Sequence, residues 1–249
     1  TAQSYNGNST LGIVIMDNSA GLNFTSGATL RCAEALIMVQ GDIDVPSSAD
    51  LVLRSTATGT AYLDDFNSGT AGSITNGAGA GDVTVERWVV NPNNAFHFIS
   101  PAVSPATVSG WSDDFTIYGP NNAQVVPMPN CDPTALAAGS PFGGLFEYRE
   151  NAVTTCYLEG WHVRSAGPLT HVSGYAGIIP NNRRIELTGP PGTGAVVHGP
   201  LTRTVVNTSS AVGWNQAGNP YPSPLNWPDV AAANPGLGAT AYIWNSSGF

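Results

Sequence analysis

Apolar residues in the first 82 positions occur in short runs that are separated by glycine, asparagine, aspartate and serine. No run repeats with the period of an amphipathic helix, so the pattern predicts short strands joined by tight turns and an all-β fold. The predicted strands in this part are Leu11–Met16, Ala28–Leu30, Leu36–Val39, Leu51–Leu53 and Ala61–Leu63.

Two segments, Gly21–Leu30 and Val45–Leu53, each combine an apolar strand with a turn of small residues. They recur after roughly 20 to 25 residues, a spacing found in coil-forming repeats. Coils of a parallel β-solenoid have this sequence pattern because each coil buries its inward residues only by stacking on the next. An antiparallel meander would look similar, so residues 1–66 are predicted to form either a short solenoid-like stack or a meander.

Residues 67–82 consist almost entirely of glycine, alanine, serine, threonine and asparagine. This composition cannot pack a core and is typical of a loop or a domain boundary. We therefore predict a linker or loop at 67–82 between a first unit at 1–66 and a second unit at 83–249.

The second unit is predicted to contain short strands between proline and glycine turns, which is typical of a β-sandwich or jelly roll. Only Pro133–Ala138 and Trp227–Ala233 have the composition for a helical turn or two. The predicted strands are Val83–Val90, Phe96–Ile99, Phe115–Tyr118, Gly144–Arg149, Cys156–Val163, Tyr175–Ile179, Arg184–Leu187, Ala195–Val197, Thr202–Val206, Gly213–Ala217 and Ala241–Trp244.

The chain has no lysine: all eight basic residues are arginine, and the formal net charge is −9. The missing amine excludes P-loop, Schiff-base and kinase lysine chemistry. The negative charge, without a basic run, argues against a nucleic-acid partner. No apolar run approaches the roughly 20 residues that a membrane-spanning helix needs.

The three cysteines, Cys32, Cys131 and Cys156, are not spaced as zinc ligands. A disulfide between Cys131 and Cys156 would close a loop of about 26 residues and contribute about 3.5 kcal/mol in the chain-entropy model. The alternative is that all three are small buried hydrophobic residues. Cys32 lies in an apolar segment and is expected to be buried.

Carboxylates occur in pairs at several turns, but no EF-hand calcium loop is present. These acids are expected to be solvated turn residues, and no cofactor is predicted. If calcium does bind, Asp64, Asp65 and Asn67 beside the glycine-rich loop are the first candidates.

No serine-nucleophile elbow accompanies the four histidines, and no catalytic motif is evident. Glycoside hydrolysis needs only two carboxylates, so Glu147, Glu150, Glu159 and Glu186 are the residues that a hydrolase hypothesis would use. Surface ion pairing with Arg149 is the simpler interpretation of Glu147 and Glu150. The sequence thus favours a protein without enzymatic activity.

Aromatic side chains offer a second type of candidate site, because sugar rings stack on exposed aromatic faces. Trp111 and Trp227, which have polar and proline neighbours, are expected at the surface and, with Tyr221, are the candidate glycan contacts. Trp161 and Trp214 lie within predicted strands and are expected in the core.

Four strings in the chain are similar to a recurring module of large secreted surface proteins of the Bacteroidetes. They are Ser55-Thr-Ala-Thr-Gly-Thr-Ala61, Val83-Thr-Val-Glu-Arg-Trp88, Phe96-His-Phe-Ile-Ser-Pro-Ala-Val103 and Gly213-Trp-Asn-Gln-Ala-Gly-Asn-Pro-Tyr-Pro-Ser-Pro-Leu-Asn-Trp227, in the family's order. The resemblance covers roughly residues 50–245. It implies an extracellular or cell-surface location and export by the type IX route, but it brings no catalytic motif with it.

These features lead us to expect an extracellular structural or adhesive β-protein that associates with identical chains, in one version as a filament subunit. A carbohydrate-binding module of a secreted polysaccharide-acting protein is the alternative expectation. The two differ in whether the partner is another copy of the chain or a surface glycan.

Overall fold

A computed structural model describes residues 1–64, 72–77, 79–90, 96–124, 144–153, 157–180, 182–204, 213–238 and 240–242. The described residues are mostly strands, with a single α-helix among them, so the all-β prediction is confirmed. The elements are β1 (Gln3–Tyr5), β2 (Asn8–Asp17), β3 (Leu22–Phe24), β4 (Thr29–Gln40), β5 (Ile43–Asp44), β6 (Asp50–Leu53), β7 (Ser55–Thr56), β8 (Gly59–Thr60), β9 (Tyr62–Asp64), β10 (Ile74–Thr75), β11 (Val83–Val89), β12 (Phe96–Ile99), β13 (Ala106–Thr107), β14 (Leu145–Tyr148), β15 (Trp161–Val163), β16 (Pro168–Leu169), β17 (Tyr175–Ile178), β18 (Arg183–Gly189) and α1 (Trp227–Ala233).

The first strands stack in parallel, one turn of chain upon the next. Asn8 pairs with Thr29, and Thr29 pairs with Asp50, a step of 21 residues. A second parallel stack runs alongside in the order β1, β3, β5 and β10. The strands therefore do not form the antiparallel meander that the sequence left open.

Glycine residues allow successive turns to come into close backbone contact at one corner of this stack. Gly41 has a φ of +81°, and a Cβ built on it would lie 1.8 Å from the backbone oxygen of Asn18 in the turn of the coil before. A Cβ on Gly72 would in turn lie 1.7 Å from the backbone oxygen of Gly41. Successive corners thus approach so closely that no side chain fits between them.

The six-stranded sheet contains strands from both sides of the linker predicted at 67–82. Its order is β18, β11, β6, β4 and β2, with β9 pairing the second half of β4. β11 joins β6 in parallel, with Val85 opposite Leu53, and pairs β18 along seven antiparallel positions. β10 also lies inside residues 67–82, so that range is more than the linker or loop that its composition predicts. β11 thereby continues the sheet of the first unit, because long-range pairing, which composition does not report, decides its place.

A second, antiparallel sheet has the order β12, β17, β14 and β15. Its Leu145 and Tyr175 share one hydrophobic cluster with Leu36, Leu53 and Val85 of the six-stranded sheet. A smaller cluster of Phe146, Val163 and Ala176 lies on the other face of this antiparallel sheet. One main core therefore connects the amino-terminal coils to the later strands.

Some local predictions are confirmed and others are wrong. The helical turn at Trp227–Ala233 is α1, and Phe96–Ile99 is β12. The described parts of the segments predicted as strands at 115–118, 195–197, 202–206, 213–217 and 241–244 contain no strand. Apolar composition alone does not make a strand, because a strand also needs a neighbour with which it can form a ladder. The predicted turn at 133–138 lies outside the described residues.

Candidate functional site

The outer edge of β2 is the most exposed strand edge of the parallel stack. Among the described residues, β2 pairs with β4 on one side and with no second strand, and β1 pairs only with β3. Both strands belong to the first coil, Gln3–Asp17. A ten-residue edge strand presents a row of backbone N–H and C=O groups that another chain can pair with. We call this edge of β2 the open edge.

Apolar side chains lie along the open edge. Leu11, Ile13 and Ile15 are 46%, 54% and 61% exposed. Ile13 and Ile15 alternate with Val14 and Met16, which pair with the buried Leu36 and Met38. Ordinary edge strands carry charges, prolines or bulges that block further pairing. β2 has no proline and its only charged residue is Asp17 at its end, but its ladder with β4 shifts register between Leu11 and Ile13 and again between Met16 and Asp17.

Charged side chains lie at both ends of the open edge and beside its middle. Asp17 accepts a hydrogen bond from the side-chain amide of Gln40. At the other end, the Arg31 guanidinium donates to the side-chain oxygen of Asn8 over 2.7 Å. The exposed Glu34 carboxylate lies against the middle of β2, beside Gly12. The edge is therefore negative at one end and in its middle, and positive at the other end.

Two other edge strands are covered: β18, at the other end of the six-stranded sheet, and β10, at the end of the second parallel stack. The backbone N–H of Glu186 in β18 donates to the Asp114 carboxylate over 2.7 Å, and Arg183 donates to the backbone oxygen of Asp113. We call residues 109–115 the closing loop. β10 is covered by its own turn, in which the Gly81 N–H donates to the Ile74 oxygen over 2.9 Å.

Burial changes the pKa of Asp114, the carboxyl group of the closing loop that contacts β18. It raises the pKa of Asp114 from 3.8 to about 6, against the opposing effect of the hydrogen bond from Glu186. Asp113 and Glu186 nearby add to the rise, because like charges disfavour ionisation. The Asp114 carboxylate and the backbone oxygen of Asp113 thus both contact β18 at its outer edge.

The prediction that Trp111 lies at the surface is wrong. Trp111 is only 2% exposed, and its ring packs edge-on against Tyr175 at a centroid distance of 6.2 Å. Its polar sequence neighbours belong to the closing loop, which folds the indole inward. A buried indole offers no face to a sugar ring.

The other aromatic candidates lie nearer the surface. Trp227 and Tyr221 are partly buried, and the Tyr221 hydroxyl donates to the backbone oxygen of Gly194. The prediction that Trp214 is in the core is also wrong: it is 48% exposed and contacts Tyr242 edge-on at 4.8 Å. Trp161 is partly buried and contacts Tyr148. Sequence reasoning missed the exposed Trp214–Tyr242 pair because it assigned both residues to strands.

The calcium and disulfide predictions fall mainly on other parts of the chain. Asp64 ends β9, while Asp65 and Asn67 lie outside the described residues, as do Cys131 and Cys156. The described residues hold no cluster of three or more histidine, cysteine, aspartate or glutamate side chains that fits a metal ion. Cys32 is a free buried thiol, as predicted, and burial raises its pKa to about 12.

The glutamates that a hydrolase would use have structural partners. Glu147 forms an ion pair with Arg149 and a second with Arg164 at 3.8 Å, as the ion-pairing interpretation predicted for Glu147. Glu150 instead is buried, which corrects its expected surface position. It accepts hydrogen bonds from the backbone N–H groups of Thr204 and Gly213. Burial alone would raise the pKa of Glu150, but these hydrogen bonds hold it below its ordinary value.

In comparisons with known proteins, no family model, curated protein or solved structure matches the chain. Within the described part of the chain, no helix has the length and apolar character to cross a membrane.

Proposed function

We propose that the protein is a non-enzymatic structural or adhesive component of the cell surface that associates with identical chains through the open edge of β2. The single observation that carries the proposal is the exposed row of Leu11, Ile13 and Ile15 on an edge strand that has no second neighbour among the described residues. An edge of this kind pairs readily with another strand.

The parallel coils are the scaffold in this proposal. We interpret them as a short β-solenoid, in which each coil covers the one before it and no described residue covers the first coil. Repeat proteins of this type need a polar cap at each end, because an uncapped coil exposes apolar surface. Covering Leu11, Ile13 and Ile15 contributes roughly 1 kcal/mol for each side chain, about half of full burial.

The charges at the two ends of β2 favour an antiparallel arrangement of two copies, whereas Glu34 beside its middle does not distinguish the two arrangements. Asp17 of each copy then approaches the Asn8 end of the other, where Arg31 lies. A parallel arrangement would bring like ends together. Because β18 and β10 are covered, pairing through the open edge alone produces a dimer. A filament would need a further contact surface.

Sedimentation analysis from micromolar to millimolar concentration tests the proposal. We expect the chain to form dimers, and Ile13→Lys and Ile15→Lys to shift the equilibrium to monomers by placing a charge in the paired edge. Val197→Lys is the matched control, because Val197 is equally apolar, 86% exposed and outside every strand. A chain that stays monomeric throughout would contradict the proposal, and regular filaments in electron microscopy would support its filament version.

The cell-surface location rests on the resemblance to secreted surface proteins of the Bacteroidetes, which also suggests type IX export. Protease treatment of intact cells tests it directly. We expect the protein to be digested or shed without lysis, and protection until lysis would contradict the location.

Carbohydrate binding is the second candidate function, and the exposed Trp214–Tyr242 pair favours it. Aromatic faces at a surface can stack on sugar rings, and Trp227 and Tyr221 are the earlier candidates for the same role. A glycan array distinguishes this function from self-association. Signal that is lost in Trp214→Ala or Trp227→Ala, with dimerisation unchanged, would support glycan binding.

A further inference from the structure

A cavity of about 330 Å³ lies between the six-stranded sheet and β12. Its apolar walls include Val89, Ile185, Leu187 and Trp111. Arg87 and His97 also line it, and none of its described lining residues is acidic. The charge of the described cavity lining is thus positive, whereas the net charge of the whole chain is −9.

Arg87 lies on the core-facing side of β11. Alternate residues of a strand share a face, so Arg87 lies with Val83, Val85 and Val89, all of which are buried in the main core. Its partner across the sheet is the buried Ile185. An apolar residue would be expected at such a position.

Arg87 is partly buried, and its guanidinium has no counter-charge among the described residues. It donates from Nη1 to the backbone oxygen of Glu86 over 2.8 Å, and no acidic side chain of the described residues forms an ion pair with it. Partial burial lowers the pKa of Arg87, although an arginine stays protonated at neutral pH. Losing part of its water without a counter-charge is unfavourable for a charged group, so an anion in the cavity would stabilise the guanidinium.

Other arginines of the same sheet have their partners. Arg184 lies 3.3 Å from both Glu86 and Glu186, and Arg183 donates to the closing loop. Glu86 therefore directs its carboxylate to the opposite face of β11, where it also accepts a hydrogen bond from the Ser55 N–H. The neighbouring carboxylate is not available to Arg87.

A further polar group at the cavity lacks a partner. The Nε2 atom of His97 is buried, and the described residues give it no hydrogen-bond partner. His97 shares its face of β12 with Ile99, which packs against the main core. Burial lowers the pKa of His97, so the imidazole is neutral at pH 7.

We propose that this cavity is a binding site for a small carboxylate with a flat apolar body, held by the Arg87 guanidinium. A planar guanidinium matches a carboxylate with two parallel hydrogen bonds, and the anion supplies the counter-charge that the fold omits. The apolar walls take the body of the ligand, and the size lies at the lower end of ligand pockets. This site is independent of the open edge.

Calorimetry with benzoate as the probe and benzyl alcohol as its neutral counterpart tests the site on the whole chain. We expect benzoate to bind and to raise the melting temperature, and benzyl alcohol to bind at least tenfold more weakly. Arg87→Met keeps the length of the side chain and should weaken benzoate binding at least tenfold. Arg183→Met is the control, because Arg183 is an exposed arginine of the partner strand.

The comparison of the two ligands on the unaltered chain decides the matter even if Arg87→Met fails to fold. No heat from benzoate at millimolar concentration, or equal binding of benzoate and benzyl alcohol, would overturn the proposal. Unchanged benzoate binding by a folded Arg87→Met variant would overturn it as well.

Discussion

β2 and β18 are the two outermost strands of one six-stranded sheet, but they meet their surroundings differently. β18 carries Arg183, Arg184 and Glu186, and the closing loop binds its backbone. β2 carries Leu11, Ile13 and Ile15, and no described residue pairs with its outer edge. The β18 edge is thus closed by hydrogen bonds from the closing loop, whereas the β2 edge has exposed apolar side chains and no backbone partner among the described residues.

This difference teaches that the composition of the whole chain conceals how charge is distributed. A chain with 10% charged residues has few to spare for blocking strand edges. Charged residues lie near both ends of the sheet, but among the described residues only the closing loop uses one, Asp114, to bind the backbone of an edge strand of this sheet. We infer that the open edge is retained for a partner, since an unprotected edge otherwise invites aggregation.

Trp111→Ala breaks the covered end and should have the largest effect. It removes a nearly fully buried indole beneath the closing loop, so we expect the free energy of unfolding to fall by about 3–5 kcal/mol. Trp214→Ala is the matched control: its indole is half exposed, and its loss should cost about 1 kcal/mol or less. Urea denaturation measures both, and equal losses would contradict the assigned burial.

Gly41→Ala disrupts the close backbone contact between Gly41 and Asn18 of the first coil, and it should have the next largest effect. The new Cβ would overlap the Asn18 backbone oxygen, and the positive φ adds strain, so we expect a loss of about 2 kcal/mol or more. Gly27→Ala is the control, because Gly27 has a φ of +79° but nothing within 4 Å of its added Cβ. A loss in Gly41→Ala no greater than in Gly27→Ala would mean that the coils are not in close contact there.

Asp114→Asn sharpens the comparison through pH and should have the smallest effect. Because burial raises the pKa of Asp114 to about 6, the folded chain holds its proton more tightly than the unfolded chain does. The contribution of Asp114 to stability is therefore present below pH 3.8 and lost as the pH rises to about 6.

The asparagine variant keeps an acceptor for the Glu186 N–H but cannot ionise. Its stability relative to the parent chain should increase as the pH rises from about 4 to about 6 and be constant above that. Chemical denaturation across this pH range measures the difference. A difference that does not change with pH would contradict the burial of Asp114.

The sequence predicted local structure better than long-range partners. The strands around Leu36–Val39 and Leu51–Leu53 and the helix at Trp227–Ala233 follow from neighbouring residues alone. The parallel partner of β11 is 32 residues away, and no local pattern reports it. The prediction of a linker at 67–82 was incomplete for that reason.

The candidate sites depended even more on tertiary structure. Polar neighbours placed Trp111 at the surface, but the closing loop turns its indole inward. The alternation of Val83, Val85, Arg87 and Val89 contains the signal for an inward arginine, although the charge made an exposed position the natural expectation. Likewise, the sequence predicts a strand at Leu11–Met16, but its apolar pattern does not show that Leu11, Ile13 and Ile15 are exposed on an edge strand.

Amide hydrogen exchange at low and high protein concentration tests the central claim, that the open edge of β2 pairs with a second copy, most directly. The outward N–H groups of β2 should exchange quickly in dilute solution and become protected as concentration rises, while β18 shows no change. The Ile13→Lys variant should lack this concentration dependence. Exchange in β2 that is the same at all concentrations would contradict the claim.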